Sequence, residues 1–287
     1  MVKIKKISAV ILAMSAALGL VACGSSGAGP EAPLEAVSQE EASGELGSGA
    51  ADTDTVGGTL TLAAAASLEK VFTEELIPMF NEQYSDVVIE GSYDSSGKLQ
   101  TQIEEGAPVD VFFSAATKQM TALSEEGMIA DDTMVALLEN KIVMIVPAGN
   151  EDRFSGFEEI VNADMIAIGD PESVPAGQYA KEALTNLGLW DQAEGRFSLG
   201  TNVTEVLNWV AASSAEAGIV YATDAASIPD QVSVIAEAPE GSCQKVIYPV
   251  AMLSGSQNPE AAQAFLDFLQ TEEAAEVFEA AGFTMNH

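Results

Sequence analysis

From Gly58 to the end of this 287-residue chain, strand-length apolar runs alternate with stretches of helical periodicity. The runs are "TLTLAAA", "DVVIEGSY", "DVFFSA", "KIVMIVPA", "MIAIGD", "GIVYA", "VSVIAEA" and "KVIYPVAML". Helical stretches fall between most of them, at 68–83, 97–105, 117–126, 178–187 and 203–213. Such alternation predicts an α/β fold with mainly parallel sheets and helices on both faces. The last stretch, "NPEAAQAFLDFLQTEEAAEVFEAAGF", reads as two helices, with Asn258 capping the first and Pro259 at its first helical position. With 47% hydrophobic residues the chain can bury one large core or two smaller lobes, and the pattern alone leaves both open.

The N-terminus belongs to a different category. "MVKIKKISAVILAMSAALGLVAC" carries Lys3, Lys5 and Lys6, then an apolar core from Ile7 to Val21, then small residues before Cys23. That is the pattern of a secretory signal. Its apolar run of about 15 residues is short for a spanning helix, which needs roughly 20. The ending resembles a bacterial lipoprotein signal, so residues 1–22 are expected to be removed and Cys23 lipidated, anchoring the protein at the outer face of a membrane. Residues 24–57 are rich in Gly, Ser, Ala, Pro and Glu and hold no aromatic residue. They cannot bury a core and read as a disordered acidic tether, with a typical span of roughly 30–35 Å.

Cys243 is then the only thiol left, so no intrachain disulfide is expected, and "GSCQK" is a polar context that reads as an incidental cysteine rather than a nucleophile. The chain has 11 basic and 44 acidic residues, and three of the basic ones lie in the signal. Such an acidic surface would repel a phosphate backbone, which excludes nucleic acid as a partner. The only histidine is His287, the last residue, so a Ser-His-Asp relay or a His-built metal site is excluded as well. No phosphate loop, dinucleotide glycine fingerprint or nucleophile elbow is present. The expectation is a binding protein with no cofactor, not an enzyme. The acidic pairs Glu104-Glu105, Glu125-Glu126 and Asp131-Asp132 read as solvated faces, and Trp190 and Trp209 as core.

Polar or small residues recur where apolar runs give way to helices. Ser67 follows "LTLAAAA", and Ser95-Ser96-Gly97 opens the next helix. Ala176-Gly177 leads into another, and Asn202 precedes Val203 with Glu205 in a capping-box position. Taken singly, each is most simply a helix cap. Each junction also offers free backbone N–H groups at the positive end of a helix, which suits an anion.

Five blocks in order, "AAAASL" (63–68), "SSGKLQTQIEEGAPVDVFFSA" (95–115), "GDPESVPAGQYAKEALTNLGLW" (169–190), "GIVYATDA" (218–225) and "YPVAML" (248–253), together resemble the molybdate-binding proteins of bacterial ABC importers. The resemblance covers 58–287 and implies a two-lobed periplasmic-binding-protein fold of type II, with an oxyanion held between the lobes. It implies lobe one at 58–140 plus 248–287 and lobe two at 141–247, with crossings near Lys141–Pro147 and Val232–Tyr248. It further implies that Ser67 and Ser96 bind the oxyanion through hydroxyl and backbone N–H, Ala176 and Val203 through backbone N–H, and Tyr221 through its phenol. Where relatives often carry a third Ser and a Thr, this chain has Gly97 and Lys98, and Lys98 is expected to point to solvent.

The implied ligand is molybdate or tungstate and the implied partner an ABC permease, with the receptor expected to be a monomer. Molybdate is a tetrahedral dianion with no proton at neutral pH, so a site for it should present only donors, as Ser, Tyr and amide N–H groups can. Repulsion from the acidic surface is damped beyond about 8 Å in physiological salt. Two alternatives stand beside this reading: a sulfate or other tetrahedral-oxyanion receptor, and a surface adhesion lipoprotein.

Overall fold

Residues 56–286 are described in this computed structural model. The signal, Cys23, nearly all of the tether and His287 lie outside them. Strands are numbered in chain order. One sheet holds β1 (Gly58–Ala65), β2 (Val87–Asp94), β3 (Val111–Phe113), β4 (Val135–Asn140), β10 (Val246–Met252) and β11 (Thr284–Met285), in the order β11-β4-β10-β3-β1-β2. A second holds β5 (Ile142–Pro147), β6 (Ile166–Gly169), β7 (Phe197–Gly200), β8 (Ala217–Tyr221) and β9 (Val232–Glu237), in the order β7-β6-β8-β5-β9. The chain passes from the first sheet to the second through Lys141 alone, and returns between Glu237 and Val246.

Ten helices flank these sheets: α1 (Glu69–Val71), α2 (Ile77–Gln83), α3 (Ser96–Glu104), α4 (Thr117–Glu125), α5 (Pro175–Asn186), α6 (Trp190–Ala193), α7 (Val203–Ala211), α8 (Ala222–Ser227), α9 (Pro259–Phe268) and α10 (Glu272–Ala280), among the described residues. The expected parallel pairing holds where a helix crosses over: β1 with β2 and β3, and β6 with β7 and β8. Both sheets are nonetheless mixed. β10 runs antiparallel to β3 and β4, and β5 runs antiparallel to β8 and β9. These strands lie on either side of the two inter-sheet passages, where no crossover helix sets a parallel direction.

Three strands escaped the apolar pattern. β4, "VALLEN", is built from residues that favour helices, and its place between β10 and β11 overrides that preference. β7 and β11 are too short to show a period. The helix read at 68–83 is compound: a 3-10 turn at Ala66–Leu68, α1, a π segment at Phe72–Leu76, then α2. Pro78 accounts for the wide turn, because its ring would crowd the carbonyl four residues earlier at α pitch.

The first sheet packs on a cluster of rings, with Phe72, Phe80, Phe265 and Phe278 in edge contacts such as Phe80–Phe265 at 5.1 Å. In the second sheet β5 is buried throughout. Asp110 is 4% exposed, and its carboxylate accepts Thr61 N–H at 2.7 Å, Ser256 hydroxyl at 2.6 Å and Gln257 N–H at 2.8 Å. It tethers the loop leading to α9, a structural use of a carboxylate inside the "GAPVDVFF" block. Pro249 sits at the register shift of β10, the place in a central strand where a residue without an N–H is tolerated.

Candidate functional site

The carboxyl ends of β1, β2, β6, β7 and β8 converge between the two sheets, where ligands of open α/β folds commonly lie. Ser67 follows β1 in the 3-10 turn, and Ser96 is the first residue of α3 after β2. Ala176 is the second residue of α5, Val203 the first of α7, and Tyr221 the last of β8. All five line one cavity, together with Asp94, Ser95 and Ala115. The space between atoms there is about 200 Å³.

Local sequence explains how the helix ends approach so closely. A Cβ on Gly177 would meet the Gly169 carbonyl oxygen at 1.9 Å, so only glycine lets α5 press against the end of β6. Pro175 opens α5 with its preset φ, and no side chain caps that helix. Asn202 caps α7 by accepting the Glu205 N–H at 2.9 Å, while the Glu205 carboxylate accepts the Thr201 N–H at 2.7 Å. The capping box thus reaches one residue further back than its sequence signature implies. The remote helices α9 and α10 are capped by Asn258 and Thr271, whereas α3 and α5 have no side-chain cap. Their free N–H groups and helix dipoles suit an anion.

The lobes are closed on one another. Gly97 N–H donates to the Ser173 carbonyl at 3.0 Å, and a Cβ on Gly97 would stand 2.3 Å from that oxygen. Asn202 Nδ2 donates to Asp94 Oδ1 at 3.3 Å, and the Tyr221 hydroxyl to the Ala115 carbonyl at 3.4 Å. Nearer the inter-sheet passages, Asn140 Nδ2 donates to Thr223 Oγ1 at 2.9 Å, and Lys70 to the Ser227 carbonyl at 3.2 Å.

Ser67 is not the helix cap its position suggests. Its hydroxyl stands 2.9 Å from that of Tyr248, which also accepts from Asn140 at 3.3 Å. The Ser96 hydroxyl accepts the Ala115 N–H at 2.9 Å and keeps its own proton available. Burial pushes the Tyr221 and Tyr248 phenols well above their ordinary range, so both keep the proton they would donate.

Lys98 does not point away into solvent. It folds onto the Asp94 carboxylate at 3.1 Å, because the i, i+4 geometry of α3 places the two together. Asp94 is the one carboxylate among the cavity residues, and its Oδ1 also receives Ser95 N–H at 2.7 Å. Lys98 and these donors offset its charge beside a site suited to an anion. Sequence assigns no ligand-site role to the bridging pair Asp94–Asn202, the hydroxyl partner Tyr248 or the cavity residue Ser95, though each lies in or beside a quoted motif. A larger open groove of about 1360 Å³ also touches Ser67, but Glu74, Glu75, Glu273 and Glu276 line it, which disfavours an anion there.

Two α/β lobes closed on a cavity lined by hydroxyls and helix N-termini define a solute receptor of the periplasmic-binding class. Residues 60–284 match the family described as bacterial extracellular solute-binding protein, and the chain belongs to that family. It is a solute-binding protein and not an enzyme. YvgL of Bacillus subtilis, provisionally named as an ABC transporter substrate-binding lipoprotein, is 38% identical, the match covering 79% of this chain and 86% of YvgL. The molybdate-binding protein ModA of Escherichia coli is also 38% identical, over 79% of this chain and 90% of ModA. The fold matches that of the periplasmic molybdate-binding protein of Azotobacter vinelandii with a TM-score of 0.70 at 24% identity, over 79% of this chain and all of that one.

Proposed function

We propose that this protein is the receptor of an ABC importer that captures molybdate, and tungstate with it, outside the cell and delivers it to a membrane permease. The observation that carries the reading is the convergence of Ser67, Ser96, Ala176, Val203 and Tyr221 on one small cavity between the lobes. Two hydroxyls, a phenol and helix-start N–H groups suit a fully deprotonated tetrahedral dianion, which accepts hydrogen bonds and donates none. Each bond to such an acceptor is worth roughly 1.5–3 kcal/mol. Identity of 38% to the E. coli molybdate-binding protein supports the same ligand.

Export through the signal at 1–22 and anchoring through lipid on Cys23 complete the proposal. Kinship with YvgL, named a lipoprotein, supports the anchor. Lobe one is assigned to 58–140 plus 248–287 and lobe two to 141–247, with hinges in the two inter-sheet passages. Sulfate has the same charge and shape but is smaller, so donor distances across the cavity must do the discriminating. A ligand that binds only the native state at 100 times its Kd adds about 2.7 kcal/mol to stability. Thermal unfolding should therefore shift upward with molybdate and tungstate and stay put with sulfate. No shift with any of the three would contradict the proposal.

A further inference from the structure

Ser95 is the serine whose chemistry the site has not yet used. It occupies the N-cap position of α3, where a serine ordinarily turns its hydroxyl onto the N–H of the second or third helical residue. It makes no such bond. The N–H of the second helical residue, Gly97, instead crosses the cleft to the Ser173 carbonyl at 3.0 Å. Ser95 is 3% exposed, and its hydroxyl has no hydrogen-bond partner among the described residues. The residue lines the same cavity as Ser67, Ser96 and Tyr221.

A buried hydroxyl without a partner is costly, and native proteins rarely retain one without a use for it. We propose that Ser95 is a sixth ligand-binding residue, whose hydroxyl donates to the bound oxyanion. This rests on the oxyanion-receptor reading and deepens it. The first turn of α3 then presents two adjacent hydroxyls, and they are held differently. Ser96 is oriented by the Ala115 N–H, which its oxygen accepts, whereas Ser95 is released for the ligand by the loss of its capping partner to Ser173. When the lobes part, Gly97 N–H leaves Ser173, and Ser95 recovers an ordinary cap. Closure thus converts a capping serine into a ligand-binding one without stranding a hydrogen bond in either state.

The test is titration calorimetry of the full chain with molybdate for wild type, Ser95→Ala and Ser95→Gly, with thermal unfolding of each in the absence of ligand. Glycine is the second variant because helix N-caps tolerate it. Both variants should bind molybdate roughly ten- to a hundredfold more weakly, the range set by one lost hydrogen bond to a charged acceptor. The ligand-free midpoint should fall little for Ser95→Gly and further for Ser95→Ala, which also loses the open-state cap. Wild-type affinity in both variants, with or without lost thermal stability, would make Ser95 a structural cap and overturn the inference. A wild type that binds none of molybdate, tungstate and sulfate would overturn the receptor reading and this inference with it, an outcome visible before any variant is compared.

Discussion

The Ser96 hydroxyl accepts the Ala115 N–H, whereas the Ser67 hydroxyl meets another hydroxyl that has a second partner in Asn140. Alanine at either position should weaken molybdate binding about ten- to a hundredfold. Only Ser96→Ala should also lower ligand-free stability, by about 1–3 kcal/mol, because it strands a buried N–H. Calorimetry paired with urea unfolding separates the two effects, and equal stability losses would contradict the hydrogen-bond assignment. Asp224 allows a test by pH. It is buried beside Tyr221, and that burial lifts its carboxyl from 3.8 to about 7, opposed by the one N–H it accepts from Tyr221. A raised acid favours folding in its protonated form, so this stabilisation is full below about 3.8 and is lost as pH rises through about 7. Urea unfolding should show Asp224→Asn gaining stability relative to wild type between pH 4 and pH 8, to be compared with a gap that does not change with pH. The five proposed site positions could be named because they fell into motifs of a known family, and they line one cavity. Ser95 and Asp94 were not legible, since the loss of the serine's capping partner and the bridge from Asp94 to Asn202 both depend on residues of the other lobe.

Elements were legible where periodicity and burial agree, as in β1, β5, α7 and α9, whose caps and apolar faces are written in consecutive residues. They were illegible where tertiary contacts decide. β4 shows no strand period yet pairs as a strand between β10 and β11, and the π segment before α2 follows from one proline whose effect on pitch no hydrophobic period reports. The close approach of α3 to the loop before α5 was likewise hidden, because Gly97 looks like an ordinary helix-start residue. Its missing Cβ leaves room for the Ser173 carbonyl across the cleft. Gly97→Ala should oppose closure by an overpacking penalty of about 1–3 kcal/mol, lowering molybdate affinity roughly five- to a hundredfold while the ligand-free midpoint holds. Affinity equal to wild type would mean that the cleft closes without this contact.

At the scale of the whole molecule, no single lobe holds the proposed site. Ser67, Ser95 and Ser96 follow strands of the first sheet, while Ala176, Val203 and Tyr221 belong to elements of the second. A ligand that touches both sets favours the closed arrangement by its differential affinity for it. Small-angle scattering should therefore show a smaller radius of gyration with molybdate than without, and an unchanged radius would count against ligand-driven closure. The acidic surface, 44 acidic residues against 11 basic, does not oppose capture, because its field decays over about 8 Å while the helix ends act at contact distance. The central claim is that these donors select a tetrahedral oxyanion of one size. Titration calorimetry of the wild-type protein with molybdate, tungstate and sulfate in parallel tests it most directly. The account predicts tight one-to-one binding of molybdate and tungstate and much weaker binding of sulfate. Sulfate binding as tight as molybdate, or no heat from any of the three, would contradict it.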